Sequence, residues 1–261
     1  MIPIQTRAYL LSIVLLSLAI PLRSFAQDDA EVNTVFSQAN HYYKSERYSQ
    51  AVDSYEQLVA SKILSGHLFY NLGNAYVKMG AIGKAILNYE RALQILPRDA
   101  DLRSNLAYAR SLVGSGSAKS GDKWLISKFA FLVNFFNLNE LTVLISLVYI
   151  VLIAIVIVSA IVKKARRTCY YTMGVTGTIL MFSILSFSLK LYRTEFHEKA
   201  VITSNAIEAR FEPADDGTSH FTLREGMLIE VTEPQPEWSK IKRWDGKSGW
   251  LRNHTFERLS P

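Results

Sequence analysis

The sequence predicts a multi-domain protein in which an all-α array of helical repeats and a small all-β barrel flank a two-helix transmembrane hairpin. Three observations support this fold class. Apolar residues recur at helical spacing through residues 27–113, and two long uncharged runs occupy residues 141–162 and 168–189. Short alternating segments separated by turn residues fill residues 199–261. We therefore expect two modules in water and one in lipid.

The first 26 residues have the layout of a secretory signal peptide. Arg7 precedes the apolar run AYLLSIVLLSLAI, and small residues stand at Ser24 and Ala26. We expect cleavage between Ala26 and Gln27, with an uncleaved signal anchor as the alternative. Under either interpretation the chain after Gln27 is exported.

Residues 27–113 contain a repeat with a period of 34 residues, in which Tyr42 recurs as Tyr76 and Tyr55 recurs as Tyr89. The segment FYNLGNAYVKMGAIGKAILNYERALQILP resembles the tetratricopeptide repeat (TPR), and FSQANHYYKSERYSQAVDSYEQLVASKI is a weaker copy. A further helix at 101–113 would cover the open end. Two repeats and a cap can bury their own faces.

The TPR resemblance implies a concave partner-binding face, formed by the first helix of each pair. The implied partner-binding residues are Phe36, Asn40, Tyr43, Lys44, Tyr70, Asn74, Val77 and Lys78. An amide and an amine recurring at one spacing suit a peptide backbone or a carboxylate. The alternative is that these asparagines and lysines are simply solvated.

Two short segments connect the array to the hairpin. Residues 114–123 begin with GSGSAKSGD, which predicts a flexible linker and lacks the spacing of a phosphate-binding loop. Residues 124–138 are aromatic and apolar but too short to span, which predicts an interfacial helix on the membrane or against the hairpin. A third full span would conflict with the signal peptide.

The runs 141–162 and 168–189 are each about 33 Å long as helices, which is enough to cross a bilayer core of about 30 Å. The loop 163–167 between them carries the topology determinants Lys163, Lys164, Arg166 and Arg167. The positive-inside bias places this loop in the cytoplasm, so both flanking modules lie on the other side. A soluble buried hairpin is the alternative. Neither run has a charged interior, which favours an anchor over a channel.

Residues 199–261 predict a small barrel of five or six strands, with turns at 215–217 and 245–246. The segments FTLREGMLIEV and EWSKIKRWDGKSGWLRNHTFERL resemble the bacterial SH3 module. Trp244 is the candidate residue for a contact surface on this SH3-like barrel. The resemblance is compatible with cell-wall binding and with plain protein contact.

Charge, cysteine and histidine content narrow the range of functions. Of the net charge of +6, four positive charges lie in the loop between the membrane runs, so we expect no nucleic-acid partner. The single cysteine, Cys169, permits no disulfide within the chain. The five histidines lack metal-ligand spacing, and no nucleophile elbow is present. We therefore expect no enzyme, metal or cofactor, with a hydrolase that uses the histidines as the enzymatic alternative.

The order of the modules (signal peptide, TPR array, membrane hairpin and SH3-like barrel) resembles the BatE-like proteins of the Bacteroides aerotolerance operon. That resemblance implies a scaffold or adaptor of the bacterial inner membrane with both modules in the periplasm, acting in an aerotolerance or envelope-stress complex. The implied partners are membrane proteins with von Willebrand factor A domains from the same operon. The alternative is a peptidoglycan-binding envelope sensor that uses the SH3-like barrel.

Overall fold

A computed structural model of the 261-residue chain describes residues 28–114, 133, 135–196 and 198–260. The predicted signal peptide with its cleavage site at Ala26 and Gln27 lies outside these residues. So do nearly all of the predicted linker and most of the predicted interfacial helix. The described residues form a helical array, a helical hairpin and a β-sheet.

The N-terminal array consists of paired helices, which confirms the helical region predicted from the repeat. Its helices are α1 (Asp28–Lys44), α2 (Tyr48–Ala60), α3 (Gly66–Lys78), α4 (Ile82–Ile95) and α5 (Ala100–Leu112). Small residues allow the close packing: a Cβ atom at Gly73 would lie 2.7 Å from the Tyr89 ring. Glycine at this position therefore lets α3 and α4 approach.

Helices α6 (Leu138–Ile161) and α7 (Arg166–Phe196) pack along each other, joined by a 3-10 turn at Lys163–Ala165. Both arms of the hairpin are long and apolar enough to cross a membrane, with a mean hydropathy of 3.2 for Leu138–Ile161 and of 1.6 for Lys163–Tyr192. Many apolar side chains on the hairpin, such as Ile150 and Ile161, stay exposed, which would be costly in water. A Cβ atom at Gly174 or Gly177 would meet nothing within 4 Å, so these glycines do not mediate the contact with α6.

The C-terminal residues form an antiparallel sheet with the strand order β3-β2-β6-β5-β4-β1-β7. The strands are β1 (Glu198–Ile202), β2 (Ile207–Arg210), β3 (Ser219–Leu223), β4 (Leu228–Pro234), β5 (Trp238–Arg243), β6 (Ser248–Arg252) and β7 (Phe256–Arg258). The predicted barrel is not closed, because the end strands β3 and β7 do not pair with each other within the described sheet. The seventh strand adds to the five or six that were predicted; it has three residues and is too short to show alternation.

Strand β1 lies between two hydrophobic cores. Ala200 and Ile202 belong to the core of the sheet, whereas Val201 and Leu259 belong to the core of the helical array. Successive side chains of a strand point to opposite faces, so β1 packs on the sheet with one face and towards the array with the other. The contact with the array is made through α4.

Helix α4 is held at both ends by residues from the other modules. Its N-cap residue, Ala81, makes no side-chain cap hydrogen bond. Instead Glu225, in the β3–β4 turn, accepts a hydrogen bond at Oε1 from the Gly83 backbone N–H at 2.6 Å. At the other end the Asn137 side chain donates from Nδ2 to the Ile95 carbonyl at 3.0 Å. Both contacts satisfy backbone groups that the end of a helix leaves unpaired.

Arg91, near the C-terminal end of α4, binds the last strand of the sheet. Its guanidinium donates to the carbonyl oxygens of Arg258 at 2.8 Å and Leu259 at 3.2 Å. The same group lies 5.7 Å from the centre of the Phe69 ring. Arg91 therefore connects α3, α4 and the β7 edge of the sheet.

We expect Gly83→Ala to weaken the docking of the sheet on α4. The new Cβ atom would lie 2.8 Å from the Ile202 carbonyl oxygen and 2.7 Å from Glu225 Cγ. Overpacking of this kind costs about 1–3 kcal/mol. Thermal unfolding of the protein in detergent should show a lower midpoint for Gly83→Ala than for the control Gln94→Ala, which changes an exposed residue of the same helix. Equal midpoints would contradict the close contact.

Candidate functional site: the groove of helices α1, α3 and α5

The first helices of successive pairs, α1, α3 and α5, are neighbours and line one face of the array, which we call the groove. The sheet packs on α4, which belongs to the other helix layer. All eight predicted partner-binding residues lie on α1 and α3 and keep solvent access: Lys44 and Lys78 are exposed, and Phe36, Asn40, Tyr43, Tyr70, Asn74 and Val77 are half-buried.

A group of three hydrogen-bonded side chains joins α1, α2 and α3. Asn40 Oδ1 accepts from the Tyr55 hydroxyl at 2.7 Å and from Asn71 Nδ2 at 2.9 Å. Tyr55 is 1% exposed, so Asn40 provides the acceptor that its buried hydroxyl needs. Asn40 is therefore a structural residue as well as a candidate ligand-binding residue.

The same arrangement recurs one repeat later and joins α3, α4 and α5. Asn74 Oδ1 accepts from the Tyr89 hydroxyl at 2.6 Å and from Asn105 Nδ2 at 3.0 Å. Asn105 also donates to the Tyr70 hydroxyl at 3.0 Å. Each member of the second group follows its counterpart by 34 residues, so the repeat is present in the hydrogen bonds as well as in the packing. We refer to the two groups together as the asparagine–tyrosine ladder.

The ladder determines what the two central asparagines can offer a ligand. The Oδ1 atoms of Asn40 and Asn74 each accept two hydrogen bonds, which fixes the orientation of both amides. Their Nδ2 groups make no hydrogen bond within residues 28–114 or the other described parts of the chain. Each amide therefore has N–H donors for an acceptor outside the chain, such as a peptide carbonyl or a carboxylate.

Aromatic pairs and lysines repeat along the groove with the same period. The Phe36 and Tyr55 rings are 5.9 Å apart, and their counterparts Tyr70 and Tyr89 are 6.1 Å apart. Such pairs provide an apolar, rigid floor. The exposed lysines Lys44 and Lys78 stand 34 residues apart, at the last residue of α1 and of α3. The groove thus combines apolar faces, amide donors and a basic rim.

Burial keeps the ladder phenols protonated. It raises the pKa of Tyr55 to about 12, although the hydrogen bond from Asn71 acts in the opposite direction. Burial also raises the pKa of Tyr89 above its usual value, and the nearby Tyr70 and Tyr43 add to the shift. Both hydroxyls therefore remain donors further into the alkaline range than an ordinary tyrosine would.

The groove also contains residues that the sequence analysis did not single out. Asn71 and Asn105 complete the ladder, and their 34-residue separation was a usable signal. Tyr108 and Leu112 on α5 are 58% and 50% exposed, and they follow Asn74 and Lys78 by one period. The groove therefore becomes more apolar towards α5.

The remaining predicted residues lie elsewhere in the molecule. Trp244 is 69% exposed in the turn between β5 and β6. The four topology determinants (Lys163, Lys164, Arg166 and Arg167) are exposed together at the tip of the hairpin. Among the described residues, no three His, Cys, Asp or Glu side chains are grouped so that they could hold a metal ion.

Comparison with known proteins identifies a TPR in this chain. The family described as TPR repeat matches residues 73–114, which include α4, α5 and part of α3. The chain is also 35% identical over 71 residues to the intraflagellar transport protein 88 homolog of Homo sapiens. That match covers 26% of this chain and 9% of the human protein, so this chain spans a small part of the relative's length. The family match shows a TPR at the α5 end of the array, and arrays of such repeats form concave interaction surfaces.

We expect Asn74→Ala to destabilise the array. The substitution leaves the buried Tyr89 hydroxyl without its acceptor, and an unsatisfied buried group costs about 1–3 kcal/mol. Lys78→Ala, on the same helix but at an exposed site, is the control and should have little effect. Urea titration gives the free energy of unfolding of both variants, which is compared with that of the wild type. Equal stability would show that the ladder does not hold the helices together.

The ladder also predicts a loss of stability at alkaline pH. The pKa of Tyr55 is raised from 10.0 to about 12 in the folded chain. The neutral phenol therefore contributes stability that is fully present below the unfolded pKa and is lost as the pH rises from about 10 through about 12. Unfolding measured at about pH 9 and about pH 11 should give a lower free energy at the higher value. Tyr55→Phe should reduce this difference, and an unchanged difference would contradict the assignment.

Proposed function

We propose that the protein is a non-enzymatic membrane scaffold whose TPR array binds an extended segment of a partner protein in the groove of α1, α3 and α5. The observation that carries this proposal is the pair of oriented amides at Asn40 and Asn74, one repeat apart on a face that the sheet does not use. Peptide carbonyls recur along an extended chain, so donors at a regular spacing suit such a ligand. The basic rim formed by Lys44 and Lys78 favours a segment with acidic residues or a terminal carboxylate.

We further propose that the hairpin crosses a bacterial inner membrane twice, with the array and the sheet both in the periplasm. The contacts between Gly83 and Glu225 and between Arg91 and Leu259 support this topology. They join modules on either side of the hairpin in sequence, and two modules in contact have to lie on the same side of a membrane. The four cations at the hairpin tip favour a cytoplasmic tip.

The BatE-like order of modules suggests where such a scaffold acts. We propose that it belongs to an aerotolerance or envelope-stress complex and that its partners include membrane-anchored proteins with von Willebrand factor A domains. A partner anchored in the same membrane has a high effective concentration near the groove. A weak groove could therefore hold such a partner.

A peptidoglycan-binding role for the SH3-like sheet is the second candidate. It is favoured by exposed aromatic side chains: Trp244 is 69% exposed, and Phe211, which is 56% exposed, lies 4.0 Å from the His220 ring. Pull-down of the full chain with purified sacculi separates the two candidates. Retention that is lost in Trp244→Ala would favour the wall-binding role over the scaffold.

We expect the double substitution Lys44→Glu and Lys78→Glu to reduce partner capture about tenfold, equivalent to about 1.4 kcal/mol. The change reverses the charge of the rim and leaves the ladder intact. Crosslinking in native membranes, followed by mass spectrometry of the captured proteins, measures the effect. Lys62→Glu, an exposed lysine after α2, is the control for charge alone. Undiminished capture by the double variant would contradict binding in the groove.

A further inference from the structure

A polar junction joins the helical array to the start of the first membrane helix. Arg98, in the loop after α4, donates from Nη2 to Glu140 Oε1 at 2.5 Å and from Nη1 to Oε2 at 3.2 Å. Nη1 also donates to the Phe135 carbonyl at 3.1 Å, and the guanidinium lies 4.9 Å from the centre of the Phe135 ring. These contacts fix Arg98 above the first turns of α6.

An open groove of about 470 Å³ lies at this junction. Its polar end is lined by Arg98, Asn139 and Glu140, and its apolar end by Val143, Leu144 and Leu147. From Asn139 to Leu147 the helix extends about 12 Å, within the first half of a membrane span. The lining of the groove therefore changes from charged to apolar along α6, in the same order as the headgroup and the acyl chain of a lipid.

We infer that this groove binds one glycerophospholipid, with its phosphodiester at Arg98 and an acyl chain along Val143, Leu144 and Leu147. The inference rests on the proposed membrane span of α6. The Arg98 side chain is 45% exposed, and its Nε–H makes no hydrogen bond within the described residues, so a donor remains for a phosphate oxygen. Glu140 balances the charge of Arg98, so the headgroup need not carry a net negative charge.

A lipid fits this groove better than a peptide does. The apolar end is continuous with the exposed apolar surface of α6, where Val143 and Leu147 are 59% and 57% exposed. An acyl chain can therefore enter from the surrounding bilayer without crossing water. An extended peptide would place unpaired backbone groups in hydrocarbon, which costs several kcal/mol for each group.

Native mass spectrometry of the full chain in detergent, with phosphatidylethanolamine as the probe, tests this inference. The wild-type protein should retain one lipid under activation that removes loosely bound lipids. Leu144→Trp fills the groove and should lower the retained fraction about tenfold. The control is Leu185→Trp, which enlarges a 49% exposed apolar residue of α7 outside the groove and should retain the lipid.

Equal retention by the two tryptophan variants, or no retention by the wild type, would overturn the inference. Either result would mean that the protein has only loosely bound annular lipid and no specific site. Leu147→Trp is a second groove variant in case Leu144→Trp does not fold, as judged by its helical circular dichroism. Alkaline carbonate treatment of membranes tests separately whether the hairpin spans the membrane at all. Release of the wild-type protein would refute the span itself, whereas its retention leaves the lipid site as the part under test.

Discussion

Helix α4 depends on side chains from both other modules, and the rest of the structure follows from that dependence. Its first turn is capped by Glu225 of the sheet, and its last turn by Asn137 at the start of the hairpin. Each of these hydrogen bonds contributes about 1 kcal/mol, against a total stability of about 5–15 kcal/mol for a typical domain. Together with Arg91 on the edge of β7, the caps fix the sheet and the hairpin relative to the array. Because α4 lies in the second helix layer, the groove of α1, α3 and α5 remains accessible.

The groove is built on a structural network. The asparagine–tyrosine ladder satisfies buried hydroxyls and at the same time orients the amides that would contact the proposed ligand. Such a ladder needs little rearrangement on binding, which lowers the entropic cost of capturing a flexible segment. Under the proposed function, stability and recognition are coupled at Asn40 and Asn74, so substitutions there would affect both properties. Lys44 and Lys78 of the rim are not part of the ladder, so this coupling does not apply to them.

Much of the architecture could be predicted from local patterns, whereas the contacts between modules could not. The 34-residue repeat and the uncharged runs are periodic or continuous in sequence, so they predicted the helical array and the two long apolar helices. Glu225 caps a helix 142 residues away, and no local motif announces such a contact. Neither sequence interpretation of Asn40 and Asn74, as ligand-binding or as solvated, included their structural role. Their structural role depends on hydrogen bonds to Tyr55 and Tyr89, whose positions are known only from the folded structure. The open sheet was missed because closure depends on pairing between distant strands.

The most direct test of this account is photo-crosslinking from α4 in native membranes. A photoreactive amino acid in place of Lys84, an exposed residue beside Gly83, reports which chain lies against the first turn of that helix. We expect crosslinks within the same chain to the β3–β4 turn around Glu225. Crosslinks found only to other proteins, with none to the sheet, would show that α4 does not hold the modules together and would contradict the account.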